Sequence, residues 1–322
     1  MRSTLLRIGI VALALGLCSP PLVAGPPDQV SSQAGGLPAL RAIVEAQAAV
    51  IADLQSTVAQ MQTTINQLQG NTDCMTQSGN DVYFTGCNVH IRNGLGATGP
   101  TVNGLGNLIV GYNEDATQIP GNSGGAPSVR TGSHNVIIGA GNSWTDRGGL
   151  VVGVLNTIGA RYETVTGFRN TASGIYANVI GGQQNTAGAD FSSVRGGLQN
   201  TASGPMSSVS GGFHNTAGGY ASSVSGGQDN AANGQSSSVS GGLFNNAGGN
   251  FAAVSGGVSN VASASSASVS GGQQNFANAS ASSVSGGLQN TAGGQFSAVS
   301  GGNNRIAPAD FNWAAGALFQ PL

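Results

Sequence analysis

Charge is scarce in this chain of 322 residues: only 7% are Asp, Glu, Lys or Arg, and lysine is absent. The formal net charge is −2. So few charges can build neither a basic patch that would hold nucleic acid nor an acidic tail. We therefore expect no nucleic-acid partner.

The arrangements of side chains that carry catalysis are also missing from the sequence. No motif connects His90, His134 or His214 with a nucleophile, and the acidic residues have no period. Nonapeptide calcium repeats are missing too, since no periodic Asp follows the Gly-Gly pairs. Glu114 and Asp115 could hold an ion in their loop, although a solvated loop is the simpler interpretation. We expect a non-enzyme without a cofactor or metal.

Residues 1–24 have the pattern of a signal peptide. Arg2 and Arg7 precede an apolar run at 8–17, and residues 22–24 form a plausible cleavage site. The run is too short for a transmembrane helix. We expect an exported protein, extracellular or on a bacterial cell surface, with association to an outer membrane left open. Lipidation of Cys18 is a second open alternative.

Only Cys74 and Cys87 remain once that leader is removed. An even pair of cysteines in an exported protein predicts a disulfide, either within one chain or between chains. Together with His90 they could also hold a metal, but three candidate ligands without a second pair make a weak site. The sequence favours the disulfide.

A short repeat, rich in the chain's 54 glycines, occupies most of the sequence. Phrases such as Ser-Ser-Val-Ser-Gly-Gly return every fifteen residues, and self-similarity at a short fixed period indicates a solenoid. Each valine between small residues predicts a short strand with one buried side chain, and each Gly-Gly pair predicts a tight corner. The structural core is predicted to contain Val194, Val209, Val224, Val239, Val254, Val269, Val284 and Val299.

Two other positions of the repeat are informative. Asn stands six residues after each of these valines except Val299, and it tolerates the left-handed conformation and can hydrogen-bond from coil to coil. A large residue often stands three residues before Val, as at Phe191 and Phe251, which predicts a partly buried edge column.

Shorter coils precede the fifteen-residue repeats. Apolar residues fourteen apart mark them at Ile137, Val151, Val165 and Val179. The period changes at Gly181-Gly182, so the added residue should lie at a corner. One earlier coil is replaced by a loop at Tyr112–Arg130. Thirteen coils fit between Ile137 and Ala314, a rod on the order of 60 Å long at about 4.8 Å per coil.

A linker at 25–36 leads to a heptad pattern at 37–69. Position a is apolar throughout, and only Gln47 is polar at position d. This pattern predicts a coiled coil, with an amphipathic helix packed on a globular domain as the alternative. Dimer and trimer both stay open, because Ile43 and Val50 widen the apolar face. We expect residues 70–106 to form a disulfide-bearing cap and 107–322 a β-roll head closed by Trp313 and Phe319.

The fourteen-residue phrases, in which Val or Ile is followed by Gly and then by Asn, resemble the head repeats of YadA-type trimeric autotransporter adhesins over residues 108–316. The resemblance implies an all-β solenoid, a left-handed parallel β-roll in which three chains pack around one axis, and hence a homotrimer. In that family the head usually precedes the stalk and the chain ends in a membrane-anchoring barrel. Here the coiled coil comes first and the sequence ends at Leu322, so we expect no integral membrane anchor.

These patterns predict an exported structural or adhesive surface protein that presents a repetitive head for attachment to cells or surfaces. Its partner would be extracellular matrix, a glycan or another cell-surface ligand. Two alternatives are an ice-binding solenoid, suggested by the serines that follow the valines from Val209 onward, and a polysaccharide-active β-helix enzyme that uses the Tyr112–Arg130 loop.

Overall fold

The computed structural model describes residues 36–72, 74–99, 101–122 and 124–316. The predicted signal peptide, Cys18, most of the linker and Phe319 lie outside the described residues. The chain divides into two compact units, one ending at Asn88 and one beginning at Val89. This division falls inside the segment 70–106 that the sequence groups as a single cap.

The first unit consists of a helix and a two-stranded hairpin. The helix α1 spans Gly36–Thr72, three residues beyond the predicted end. Strands β1 (Met75–Ser78) and β2 (Asp81–Phe84) pair antiparallel. Gly79 begins the two-residue connection with φ of +60°, a conformation that glycine adopts without strain. None of the described helices combines the length and hydropathy of a membrane span.

The second unit is the predicted parallel β-solenoid, and it has about 12 turns where the sequence spacing counts thirteen coils. Two sheets contribute one strand each to a turn, and we name them the valine sheet and the threonine sheet. The valine sheet contains Leu108–Val110, Val136–Ala140, Leu150–Val154, Thr164–Phe168, Asn178–Gln183, Ser193–Val194, Ser208–Val209, Ser223–Val224, Ser238–Val239, Ala253–Val254, Ser268–Val269, Ser283–Val284, Ala298–Val299 and Trp313–Ala314. The threonine sheet contains Ser143–Trp144, Thr157–Ile158, Thr171–Ala172, Thr186–Ala187, Thr201–Ala202, Thr216–Ala217, Ala231–Ala232, Asn246–Ala247, Val261–Ala262, Phe276–Ala277, Thr291–Ala292 and Ile306–Ala307.

Equivalent residues of successive turns lie side by side, so each sheet is a stack of repeated positions. Val194 pairs with Val209, and Ala202 pairs with Ala217. The register shifts between Ile180 and Gln183, which places the residue added in the longer coils at the predicted Gly-Gly corner. Single bridges from Gln183 to Asn303 form a third ladder along the solenoid.

The core lies between the two sheets and is built from small side chains. All eight valines of the fifteen-residue series are at most 1% exposed, and the alanines of the threonine sheet face them. Trp144 and Ile158 enlarge the core in the first turns. The close approach of Val and Ala columns leaves little apolar area per turn, so each turn depends on its neighbours.

The asparagine column forms a continuous hydrogen-bond ladder inside the solenoid. Asn215 donates its backbone N–H to Oδ1 of Asn200 at 2.9 Å, and its Nδ2 donates to the carbonyls of Gly211 and Gly227 at 3.0 and 2.9 Å. The left-handed residue is the one before each Asn, for example His214 with φ of +54°. The predicted hydrogen bonds from coil to coil are thus confirmed. The asparagines of this column are not themselves left-handed, because the positive φ falls on the residue before each of them.

The large residues three positions before Val are also not buried as expected. Phe191 is 54% exposed and Phe251 is 58% exposed. Their backbone is left-handed, with φ of +59° and +60°, at the turn that enters the valine sheet. The side chains lie on the outside of that turn and form an exposed edge.

Candidate functional surfaces and cavity

The two cysteines and His90 are not assembled into a metal site. Cys74 and Cys87 form a disulfide that closes the hairpin, with their Cα atoms 5.9 Å apart. His90 belongs to the second unit, whereas both cysteines belong to the first. Within the described part of the chain, no three His, Cys, Asp or Glu residues come together in a way that could hold a metal ion.

The loop Tyr112–Arg130 is fastened by Asp115. One carboxylate oxygen accepts hydrogen bonds from the backbone N–H and the hydroxyl of Thr117, and the other accepts from the backbone N–H of Ser128. These bonds, with the Thr117 N–H first, lower the pKa of Asp115. Both carboxylate oxygens of Asp115 thus hold the loop in place.

The outward side of the threonine sheet carries a column of hydroxyls. Thr171 pairs with both Thr157 and Thr186, so the column that the sequence shows from Thr186 onward begins two turns earlier. Five consecutive turns therefore present threonine in register, at Thr157, Thr171, Thr186, Thr201 and Thr216. The change of period between Thr171 and Thr186 hides this continuity in the sequence.

The outward side of the valine sheet changes character along its length. In its first turns Leu108, Val110, Ile138 and Leu150 are exposed. From Ser193 onward, small residues (mostly serine, alanine at Ala253 and Ala298) precede each buried valine. One face of the solenoid is thus apolar near its start and mostly polar over the remaining turns.

A ladder of rings follows the edge between the sheets. The ring centroids of Tyr162 and Tyr176 are 5.1 Å apart, and those of Tyr176 and Phe191 are 5.2 Å apart, with interplanar angles of 18° and 17°. A Cβ added to Gly148 would lie 2.8 Å from the ring of Tyr162, so that ring packs on the preceding turn. The faces of these rings are covered by one another, and their edges face solvent.

Glu163 is an ionisable side chain buried in the solenoid. It is 1% exposed and stands two residues before Val165, where later turns carry Ser or Ala. One carboxyl oxygen accepts a hydrogen bond from the backbone N–H of Ala160 at 2.9 Å, and the other has no hydrogen-bond partner among the described residues. Burial, opposed by the N–H groups of Ala160 and Gly159, raises the pKa of Glu163 to about 7.

His214 and Asp229 form an ionisable pair between two successive turns. Nδ1 of His214 contacts a carboxylate oxygen of Asp229 one turn away, and Gln228 donates to the other oxygen at 3.0 Å. The bond to His214 is the first cause that lowers the pKa of Asp229. The pair therefore joins two successive turns.

An open cavity of about 580 Å³ lies at the start of the solenoid unit. Its walls consist of the chain from Val89 to Thr98, without Leu95, together with His134 from the turn into the second valine-sheet strand. Nothing in the sequence pattern connects these two stretches, because the segment before Leu108 has no coil period. No protein-family model and no curated protein sequence matches this chain.

Proposed function

We propose that this protein is an exported structural or adhesive surface protein whose solenoid presents repeated outward columns to cells or surfaces. The observation that carries the proposal is the register of those columns. Outward side chains such as Ser208 and Ser223 stand directly beside one another on successive turns. A ligand that is itself extended can then meet many equivalent weak contacts, which gain strength by multivalency.

We also propose that the chain assembles as a parallel homotrimer. The apolar a and d side chains of α1, such as Ile51 and Leu54, are more than half exposed in the single chain. Packing them in a coiled coil over 37–69 would remove this apolar surface from water and bring the starts of three chains together. The resemblance to trimeric adhesin heads supports the trimer and a left-handed coil. Extracellular matrix, a glycan or a cell-surface ligand would be the partner.

Adhesion can be tested by shortening the solenoid without changing its register. Deleting residues 210–269 removes four fifteen-residue coils and joins Val209 to Ser270. The shortened protein should be retained more weakly than the full mature chain on surfaces coated with matrix proteins or glycans. Equal retention of both forms, or no retention of the full chain on any coated surface, would contradict the adhesive function.

The assembly can be tested separately by light scattering. We expect the mass of a trimer for the mature chain and a smaller mass, with a lower melting temperature, after deletion of residues 34–69. Ile51→Asn should weaken assembly, whereas Ser56→Asn, a substitution of a polar residue on the same exposed helix, should not. A monomeric mature chain would remove the trimer from the proposal.

The threonine column favours a second candidate function, binding to ice. Its five hydroxyl-and-methyl side chains, Thr157 to Thr216, stand one coil apart on one sheet. A measurement of thermal hysteresis separates this function from adhesion. Hysteresis in the full chain that is lost in Thr186→Lys would support it, and a full chain without hysteresis would exclude it.

A further inference from the structure

We propose that the cavity at the start of the solenoid binds an acidic monosaccharide unit, such as a uronic acid, through its carboxylate. This site lies at the start of the solenoid unit, whereas the proposed adhesive surface consists of repeated columns. The inference therefore does not depend on the adhesive function. It follows from the charge, the construction and the size of the cavity.

The ionisable side chains that line the cavity are two imidazoles and one guanidinium, and none of them is acidic. His90, Arg92 and His134 contribute to the walls, and no Asp or Glu does. Arg92 takes part in none of the ion pairs formed by the described residues. A guanidinium presents several N–H donors in a planar fork that matches a carboxylate. The cavity is therefore suited to a ligand that carries an oxyanion.

The two stretches of chain that carry these donors are fastened to each other. Asn103 donates its Nδ2 to the carbonyl of Asn93 at 2.8 Å and its backbone N–H to Oγ of Ser133 at 3.0 Å. The hydroxyl of Ser133 donates back to Oδ1 of Asn103 at 3.1 Å. Asn93 and Ser133 are both buried, and they immediately adjoin Arg92 and His134. Buried hydrogen bonds thus hold both walls in place, which reduces the ordering cost of binding.

The size and composition of the walls favour a sugar over an inorganic anion. A volume of about 580 Å³ lies within the range of small-molecule sites, roughly 300–1,000 Å³, and far exceeds the needs of sulfate or phosphate. Val89, Ile91 and Ala97 provide apolar wall, while Thr98 and the main chain provide polar groups. A pyranose ring presents both apolar C–H groups and hydroxyls, and a uronic acid adds the carboxylate that the donors require.

The experiment is calorimetric titration of the full mature protein with glucuronate and galacturonate, with glucose as the neutral comparison. We expect saturable binding of at least one uronate and at least tenfold weaker binding of glucose. Inorganic sulfate and phosphate test the other source of an oxyanion. Binding of either as tightly as the uronates, or equal binding of glucose, would overturn the assignment to an acidic sugar.

Variants of one arginine then locate the site. Arg92→Gln should weaken uronate binding about tenfold, the effect of losing one charge-assisted hydrogen bond. Arg92→Lys, which keeps the charge without the fork, should give a smaller loss. Arg195→Gln is the matched control, because Arg195 is an exposed arginine directly after the strand Ser193–Val194 and does not line the cavity. Equal binding by Arg92→Gln and Arg195→Gln, with unchanged melting of both, would place any uronate binding elsewhere and refute the site.

Discussion

Glu163→Gln should change how the stability of the solenoid depends on pH. Burial raises the pKa of Glu163 from 4.5 to about 7 in the folded protein. A group whose pKa is raised by folding stabilises the fold fully below its unfolded pKa, and that stabilisation is lost as pH rises through the folded value. The native chain should therefore lose stability between pH 4.5 and about 7 through this group.

The size of the effect follows from the shift in pKa. A change from 4.5 to about 7 corresponds to about 3 kcal/mol of unfolding free energy, at about 1.4 kcal/mol per pKa unit. Glutamine has nearly the same shape, stays neutral and can still accept the hydrogen bond from Ala160. The variant should match the native protein at pH 4 and be more stable by about 2–3 kcal/mol at pH 8.

Urea unfolding followed by circular dichroism at pH 4, 5, 6, 7 and 8 measures this difference. Glu45→Gln is a suitable control, because the carboxylate of Glu45 is exposed on α1 and should not change the slope. Comparison of each variant with the native protein cancels the groups that titrate alike in both. Parallel profiles for Glu163→Gln and the native chain across this range would show that Glu163 is solvated and that the reasoning fails.

Three further predictions concern the core, the amide ladder and the hairpin. Val239→Asp should cost at least about 4 kcal/mol of unfolding free energy in chemical denaturation, because the valine is buried. Ser240→Asp, on the outward side, should cost little. Equal losses in the two variants would show that the register is wrong. Asn245→Ala removes two hydrogen bonds to carbonyls, both at 2.9 Å, and the acceptor for the backbone N–H of Asn260 in the next turn. Thermal melting should show a loss of about 3 kcal/mol of unfolding free energy that Ser240→Ala does not show. An unchanged melting temperature would contradict the ladder. Replacing Cys74 and Cys87 with serine should lower the stability of the hairpin by about 3 kcal/mol, and free thiols found by alkylation of non-reduced exported protein would refute the bond.

The architecture could be predicted because one small unit recurs with little variation. A Val between small residues, followed by Gly-Gly, leaves little choice of which side chain is buried and where the chain turns. The same spacing predicts the parallel pairing of Val194 with Val209. The position of the residue added at Gly181-Gly182 follows as well, since only a corner can lengthen without shifting both sheets.

Two expectations failed at positions where the sequence spacing identifies a column of residues but not the direction in which their side chains point. Asparagine is tolerated in left-handed backbone, yet here its amide is buried and the preceding residue, whatever its type, takes the positive φ. Bulk at Phe191 suggested burial, but a single chain leaves it more than half exposed. In both cases the position of the residue on the turn, and not the conformational or burial preference of its type, determines its backbone conformation and its exposure.

The candidate sites were harder to predict than the fold. Aligning Glu163 with Ser192, both two residues before a Val, would have revealed a carboxyl in the interior column. No comparable signal existed for the cavity, because His134 lies 42 residues along the chain from Arg92 and the segment around Arg92 lacks the phrase of Val or Ile followed by Gly that marks the coils. Such a site depends on how the irregular start of the chain meets the first turns.

The amide ladder has a consequence for how the gene can change. Each Asn bonds only within its own turn and to the turns directly before and after it, and the bonds of Asn215 are repeated at Asn230. Replication slippage that duplicates or deletes one fifteen-residue unit would therefore leave every remaining bond intact. The length of the solenoid can evolve in steps of about 4.8 Å, without new side chains and with little change in net charge. Related sequences should accordingly differ in the number of turns more readily than in the composition of a turn.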